Sequence, residues 1–373
     1  MLLVGNGSYA GFVIDKPLSV FAMPSASVIV HGTLSVVGID LGERVIVSGI
    51  DVEIATSFNP KRALYLYTNR GYVYFQDCEF KAAQESVLTL NCYYYSGEDG
   101  ARIHDSDQVA FSNCSLFGGA GLYTDECCGW GLGQGGHGIY SVNSTITLNK
   151  CLVRGGQEDN DQQDWRYGIY LRGSTAYASG SDIASEPGYP HSGIFVESPS
   201  GFDYRDCLFS GPAGVSGAGT INQLSGAARS ALTDTVASWA SPGDLVFAGS
   251  TGDGLWALTS LAPKFRWLLP IGVQLLDVAF PLPTQSGVLP ASGNLMVPLD
   301  FSAIAAPLSP APVAIQGLAV GQGSRWLSGV RHLLPLDPVT GPDCNNNGIN
   351  DYLEIIAGTR ADIDENLVPD ECP

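Results

Sequence analysis

Twelve residues near the C-terminus carry oxygen donors at a spacing that can wrap a chain around a hard cation. Asp343, Asn345, Asn347 and Asp351 stand at positions 1, 3, 5 and 9 of that stretch. Gly348, at position 6, allows a sharp turn, and Ile349, at position 7, offers its carbonyl. Glu354, at position 12, can close the shell with both carboxylate oxygens. Calcium takes roughly 6–8 oxygens, so the pattern predicts a Ca2+ loop over 343–354. A partial copy follows, in which Asp362, Asp364, Asn366, Val368 and Asp370 repeat the first set in register. Leu367 replaces the turn glycine, where a left-handed backbone would be strained, and Pro373 stands where the closing Glu belongs. For this copy, weak binding, a ligand shared with the first loop and an incomplete site are all open. Tyr352–Ala357 reads as a short helix stopped by Gly358. Cys344 and Cys372 flank both loops and are the candidate disulfide, since a bridge there would pin the loops together.

Other groups could do proton chemistry. Glu158, Asp159, Asp161 and Asp164 crowd one segment ahead of Arg166. Carboxylates this close repel unless a cation or solvent relieves them, so the segment is either a second metal or substrate loop or a solvated acidic loop. Arg102, His104, Asp105 and Asp107 lie together near one strand, and Arg172 and Glu197 fall at matching positions of later repeats. Arg102, His104, Asp105 and Arg172 are candidates for catalysis, and are equally expected on any solvated face. Gly136-His137-Gly138 is similar to one motif of the polygalacturonase-like glycosidases. The Asn-Thr-Asp, paired Asp-Asp and Arg-Ile-Lys of that family are absent, so no acid and base flank a glycosidic bond. His137 reads more simply as the end of a Gly-rich loop entering a strand.

The elements that must position these residues announce themselves as a repeat. Cys78, Cys114, Cys151 and Cys207 each follow a short apolar strand, and Ser181 holds the same place in a fifth copy. Their spacings are 36, 37, 30 and 26. Eleven residues upstream lie Tyr67, Ile103, Tyr140 and Tyr170, with Phe195 twelve upstream in the last copy. A near-constant core with a variable return is what a solenoid produces. The cysteines are then expected to stack inside the coil as small apolar residues. The pattern resembles the right-handed parallel β-helix of the pectate-lyase-like superfamily over residues 1–212. The resemblance implies a groove walled by long return loops near 117–137, 154–167 and 184–192, where such enzymes cleave acidic polysaccharide. The tail resembles the dockerin-like and thrombospondin-type-3-like calcium repeats of secreted bacterial proteins, which implies a docking partner.

Composition bounds the rest. The 373 residues carry only 15% charged side chains, 46 glycines and a net charge of −19. This favours an all-β extracellular protein and gives no electrostatic footprint for nucleic acid or an anionic membrane. No run of 18 apolar residues exists to span a bilayer. Met1-Leu2-Leu3-Val4-Gly5 already reads as a strand and not as a signal peptide, so the chain is taken as a mature form or a fragment whose capping segment is missing. Residues 213–234, rich in Gly, Ala and Ser, read as a linker, with a short helix expected over Ser225–Ser238. Residues 235–341 hold most of the 22 prolines between short strands and read as a small β-sandwich, followed by the calcium tail at 342–373. Pairing of Cys92, Cys127 and Cys128 is left open. The favoured function is a secreted or cell-surface calcium-binding protein that binds glycan, adheres or builds structure without turnover, its partner a polysaccharide or cell-surface component. The alternative is a lyase or glycoside hydrolase acting on acidic polysaccharide in the loop-walled groove.

Overall fold

The computed structural model describes residues 1–54, 62–83, 97–121, 135–156, 167–185, 192–210 and 214–225. Beyond these it describes 228, 230–232, 236–238, 244–260, 263–268, 272–276, 285–299, 312–321, 324–336, 342–356, 358–363 and 369–372. The chain divides into two compact units, one of Ser8–Leu18 and Ile29–Gly226, the other of Met1–Gly7, Ser19–Val28 and Ala227–Pro373. The uninterrupted 1–212 domain expected from sequence therefore gives up two short segments at its start.

The first unit is a parallel β-helix. Its first sheet runs Arg44–Ser48, Tyr72–Gln76, Gln108–Ser112, Thr145–Asn149, Thr175–Ser179, Gly201–Arg205 and Thr220–Gln223. The second runs Asp51–Glu53, Glu79–Lys81, Ser115–Phe117, Leu152–Arg154, Asp182–Ala184 and Leu208–Ser210. The third runs Leu34–Val37, Leu64–Tyr67, Ala101–His104, Ile139–Val142, Ile169–Arg172, Ile194–Val196 and Val215–Gly217. Neighbouring strands are parallel, and the pairings Phe80↔Leu116, Leu116↔Val153, Val153↔Ile183 and Ile183↔Phe209 reproduce the 36, 37, 30 and 26 spacing of the Cys positions.

Alternation decides which side chains point inward. Val73, Phe75, Val109, Phe111, Ile146 and Leu148 of the first sheet are buried, as are Phe80, Leu116, Val153 and Ile183 of the second. Leu64, Leu66, Ala101, Ile103, Ile139, Ile169 and Leu171 do the same from the third. Phe75 stacks on Phe111 at 5.2 Å and meets Phe80 edge-on at 5.4 Å. Each large side chain so buried contributes roughly 1.5–3 kcal/mol.

Two lines of small polar side chains hold the corners. At the corner between first and second sheets, Asp77, Asn113, Lys150 and Asp206 take positive φ of 53°, 54°, 53° and 49°, which turns the chain in two residues. Asn and Asp tolerate this left-handed region better than most residues. The next residue points inward. Cys78, Cys114, Cys151 and Cys207 each donate a thiol to the carbonyl two residues back, at 3.2–3.4 Å, and Ser181 does the same with its hydroxyl at 3.3 Å. The cysteines thus stack as expected, but as hydrogen-bonding groups and not merely as small apolar ones. Burial pushes the Cys151 thiol up to about 12, so it stays protonated.

The corner between third and first sheets carries a serine line that the sequence reading missed. Ser106, Ser144 and Ser174 donate to the carbonyls of His104, Val142 and Arg172. The same oxygens accept backbone N–H groups from the preceding coil: Asn69 N to Ser106 Oγ, Ser106 N to Ser144 Oγ and Ser144 N to Ser174 Oγ, at 3.4, 3.0 and 3.1 Å. Buried turn amides that would otherwise lack a partner are satisfied this way.

Val215–Gly217 pairs with Ile194–Val196, and Thr220–Gln223 with Gly201–Tyr204, so the solenoid continues into the segment read as a linker. Its Gly, Ala and Ser content concealed strands that need little apolar surface at the coil end. The helix expected over Ser225–Ser238 is contradicted, because Ser230–Leu232 and Val236–Ser238 are strands.

In the second unit, Leu2, Leu3 and Val4 pair with Val20, Phe21 and Ala22 in parallel. The remainder is largely antiparallel. A three-stranded sheet contains Asp244–Ala248 and Asn294–Pro298, and a five-stranded sheet contains Gly254–Ser260, Val313–Gly321 and Ser324–Leu336. Leu245 and Phe247 of one sheet share a core with Leu255, Ile315, Trp326 and Leu333 of the other, which makes a β-sandwich. Gln316, fully buried, accepts from Leu275 N at 3.0 Å and donates to the Val273 and Ser328 carbonyls at 2.8 Å. It thereby ties the Pro263–Leu268/Gly272–Leu276 hairpin onto the sheet. Strand Ser324–Leu336 was missed in the sequence. The expected helix in the tail is present as Asp351–Ile356, with Gly358 at φ +67°.

The hydroxyl–thiol equivalence yields a test. Cys151→Ser should change unfolding free energy by about 1 kcal/mol or less, since Ser181 makes the same bond one coil away. Cys151→Asp should cost several kcal/mol, because a buried carboxylate would have no partner. Urea unfolding of both variants checks the pair. Equal losses would show that the corner needs only the thiol's volume.

Candidate functional site

The third sheet offers its outward face to solvent. On the first sheet even outward residues such as Ile46, Tyr74, Ala110 and Tyr177 are buried. On the third, register aligns Tyr65, Arg102, Tyr140, Tyr170 and Phe195 in one outward row, and Tyr67, His104, Val142 and Arg172 in the next. All are half-buried except Tyr67 and Arg172, which are exposed.

The rings form a continuous strip. Tyr140 and Tyr170 stack at 5.3 Å and 14°, and Tyr170 and Phe195 at 5.4 Å and 22°. His137 and Tyr167 flank the row: His137 lies 5.8 Å from Tyr140 and 5.3 Å from Tyr170, and Tyr167 lies 5.0 Å from Phe195. His137 is fixed by its backbone N–H on Asp99 Oδ1 at 3.0 Å and by its Nδ1, which accepts the Tyr167 N–H at 3.1 Å. Gly136 and Gly138 beside it are required by close backbone contact. A Cβ at Gly136 would lie 1.9 Å from the Glu98 carbonyl, and one at Gly138 would lie 2.7 Å from the Arg154 carbonyl. The Gly-His-Gly sequence is therefore a packing device. Aromatic pairs of this kind add about 0.5–1.5 kcal/mol each beyond their burial.

Ion pairs border the rings. Arg102 donates Nε to the buried Asp99 at 2.7 Å, lies 3.8 Å from Glu98 and covers the Tyr140 ring at 5.3 Å. Arg62 lies 3.5 Å from Glu98 and covers Tyr65 at 5.0 Å. Arg172 lies 3.7 Å from Glu197, which also accepts the Tyr170 hydroxyl at 2.9 Å. Burial, then the hydrogen bond to Glu197, pushes the Tyr170 phenol up to about 12. Burial, reinforced by Arg102, lowers the His104 pKa, so this imidazole is neutral at pH 7.

The sequence candidates are thus distributed rather than assembled. Arg102 and His104 share a strand, but Arg172 lies two coils away along the row. Asp105 sits exposed in the turn at φ 48° and accepts the Asn143 side-chain amide at 3.2 Å. Glu158, Asp159, Asp161 and Asp164, like Cys92, Cys127 and Cys128, lie outside the described residues. The eleven-residue count upstream of the cysteines also needs correction. The turn into the first sheet spans 68–71, 105–107, 143–144 and 173–174 in successive coils, so the count lands on different rows. Ile103 points inward, whereas Tyr67 pairs with His104, and Tyr140 with Arg102.

In the tail, Asp343 accepts the backbone N–H groups of Asn347 and Gly348 at 3.0 and 2.9 Å. Asn345 and Asn347 accept the N–H groups two residues on, at 3.0 and 2.8 Å, and Gly348 takes φ +83°. The side-chain amides of Asn345 and Asn347 converge on Glu354 at 3.1 and 2.8 Å. Asp351 and Glu354 are both buried. Arg360 Nε stands 3.3 Å from Glu354 and 3.0 Å from Glu371, whose other contact is Asn345 Nδ2 at 3.0 Å. Cys344 and Cys372 are disulfide-bonded, Cα atoms 5.7 Å apart. Of the second loop, Asp370 accepts the Ile363 N–H at 2.9 Å, and Asp362 is described; Asp364, Asn366 and Val368 lie outside the described residues.

No protein-family model matches this chain, and no curated protein does. Among solved structures it is similar to the enzymatically active domain of tailspike protein 4 of bacteriophage CBA120, at 12% identity and a TM-score of 0.29, over 89% of this chain and 64% of that one. A tailspike protein from Acinetobacter baumannii bacteriophage Fri1, a capsular polysaccharide depolymerase, is similar at 9% identity and a TM-score of 0.18, covering 90% of this chain and 73% of that one. The Dettilon tailspike protein follows at 8%, with a TM-score of 0.19 and coverage of 79% and 85%. This chain spans less than two thirds of the first of these structures. No helix among the described residues is long and apolar enough to cross a membrane.

The Tyr170–Glu197 bond can be tested by titration. The fold favours the neutral phenol, so its stabilisation is complete below the ordinary value of 10.0 and is lost as pH rises through about 12. Glu197→Gln should bring the Tyr170 pKa down toward 10.0 while burial keeps it above. Carbon NMR of labelled tyrosine reads the shift. An unmoved Tyr170 would remove the bond.

Proposed function

We propose that the protein is a secreted or cell-surface β-helix protein that binds glycan along its third sheet, without turnover, and carries a calcium-stabilised tail. The observation that carries the reading is the strip of stacked rings from Tyr140 to Phe195, bordered by fixed Arg, Glu and His side chains. A sugar ring presents apolar C–H surface and a rim of hydroxyls. It needs ring surface beside donors and acceptors held in place, and this strip supplies both. Among the described residues of the strip, Glu98 and Asp99 are paired with Arg102, and Glu197 with Arg172 and Tyr170, so these carboxylates serve as fixed acceptors in this reading.

The tail fits calcium by its donor set. Asp343, Asn345, Asn347, Asp351 and Glu354 offer side-chain oxygens, and Ile349 offers its carbonyl. Glu354 lies beside Arg360, while Asp351, also buried, is held by the Cys344 N–H with no cation beside it among the described residues, an arrangement that a divalent cation would relieve. To bind it, Asn345 and Asn347 would turn their amide oxygens inward, and Arg360 would yield Glu354. Extracellular calcium loops of this kind hold the ion at about 10⁻⁴–10⁻³ M. A docking partner for the tail belongs to the same proposal.

Two measurements test these parts separately. On a polysaccharide panel, Tyr140→Ala and Tyr170→Ala should each weaken binding by about tenfold, the equivalent of 1.4 kcal/mol. Unchanged affinity in both would remove the strip. Calorimetry on the full chain should show calcium binding that Glu354→Gln abolishes and Arg360→Gln strengthens. Absence of calcium heat at millimolar metal would remove the loop.

A further inference from the structure

The charge state of the strip points beyond glycan in general to a class of glycan. We infer that the third-sheet strip takes an uncharged polysaccharide and rejects uronate-rich and sulfated polymers. The inference rests on the glycan-binding reading and specifies its ligand.

Recognition of a polyanion needs cations that are free to meet it. The described strip presents three arginines, and each is already neutralised. Arg102 meets Asp99 at 2.7 Å and Glu98 at 3.8 Å, Arg62 meets Glu98 at 3.5 Å, and Arg172 meets Glu197 at 3.7 Å. Two of the three are further engaged by rings, Arg62 over Tyr65 and Arg102 over Tyr140. Three guanidinium charges thus face three carboxylates. His104, the remaining basic group of the rows, is held neutral by burial and by Arg102. Exposed Asp105 and Asp107 border the strip at the turn into the first sheet, and exposed Arg70 stands in the same turn one coil earlier, which leaves the turn acidic by one charge.

The neighbouring sequence is acidic on balance. Segments 55–61, 84–96, 122–134, 157–166 and 186–191, which precede strands of the third sheet in the sequence, contain eight acidic residues and two basic, Lys61 and Arg166. The whole chain is at −19. A uronate polymer approaching the strip would have to displace a carboxylate from each arginine and approach against this net field. An uncharged chain meets neither cost. It can use the same carboxylates and guanidinium groups as fixed hydrogen-bond acceptors and donors for its hydroxyls, with ring edges beneath its C–H surface.

The experiment is affinity electrophoresis and calorimetry of the full chain. Its probes are uncharged glucans, mannans and galactans, set against polygalacturonate, alginate and a sulfated galactan. Each is run at about 0.01 M and about 1 M NaCl, where the screening length falls from about 30 Å to about 3 Å, with calcium and with chelator. The expected result is binding to an uncharged polymer that changes by less than about twofold with salt, and none to the polyanions. Glu197→Gln, which releases Arg172, should gain polyuronate binding at low salt. Polyuronate binding by the unmodified protein, with or without calcium, would overturn the inference while leaving the glycan-binding reading intact. So would failure of Glu197→Gln to gain it. Binding to no polymer of either class would overturn the glycan-binding reading itself.

Discussion

The solenoid depends on a hydrogen bond that recurs at two of its corners: a small side chain that donates to the carbonyl two residues behind it. Serine does this at one corner, and cysteine or serine at the other. The bond fixes the turn within one coil. At the serine corner the same oxygen accepts an N–H from the adjacent coil, so the turn is also locked between coils. A corner is where a buried backbone would otherwise lack sheet partners, and an unpaired amide there costs about 1–3 kcal/mol. Register follows from this. A slip would exchange inward and outward side chains and carry Phe75, Phe111 and Leu148 out of the core.

This arrangement explains what the sequence made legible. The inward Cys follows the first-sheet strand at a constant two residues, as Gln76–Cys78, Ser112–Cys114 and Asn149–Cys151 show. Its spacing therefore equals the coil length, and the β-helix could be read from it. The other corner varies from four residues at 68–71 to two at 143–144. Counting across it misplaces side chains by one or two, which is why Tyr67 and Ile103 seemed equivalent when one points outward and the other inward. The serine line escaped because Ser106, Ser144 and Ser174 stand in short turns beside Asp, Asn or Gly, where serine is ordinary. The tail was legible for the opposite reason. Its loop is local, and twelve residues suffice to state it, whereas the Arg360–Glu371 contact depends on the chain returning to Cys344.

The candidate site was legible only in part. Arg102, His104, Arg172 and Glu197 stood out as ionisable groups, and the Arg172–Glu197 neighbourhood followed from their matching positions. Their partners did not stand out. Asp99 is nearly invisible in sequence, three residues before Arg102 in a Gly-rich entry, yet it joins two coils by holding Arg102 on one oxygen and the His137 amide on the other. Removing it would cost Arg102 its shortest ion pair and His137 one of its two hydrogen bonds in one step. The aromatic row was noticed as a repeat marker, and its outward direction became visible only once register was known.

A parallel β-helix is suited to displaying such a row because it repeats one short strand at the inter-strand spacing of about 4.7–4.9 Å. Side chains at equivalent positions must then touch, and rings satisfy that contact by stacking. Like charges at neighbouring positions of a row repel, and the first outward row carries a single cation among its rings. Tyr65, Tyr140, Tyr170 and Phe195 take the ring positions, Arg102 stands between Tyr65 and Tyr140, and Arg172 beside Glu197 closes the next row. A face built this way meets a long ligand through many small contacts rather than one deep pocket, and affinity grows with the number of coils engaged. An extended polymer lying along the solenoid axis satisfies that geometry, whereas a single sugar would touch too few rings to hold.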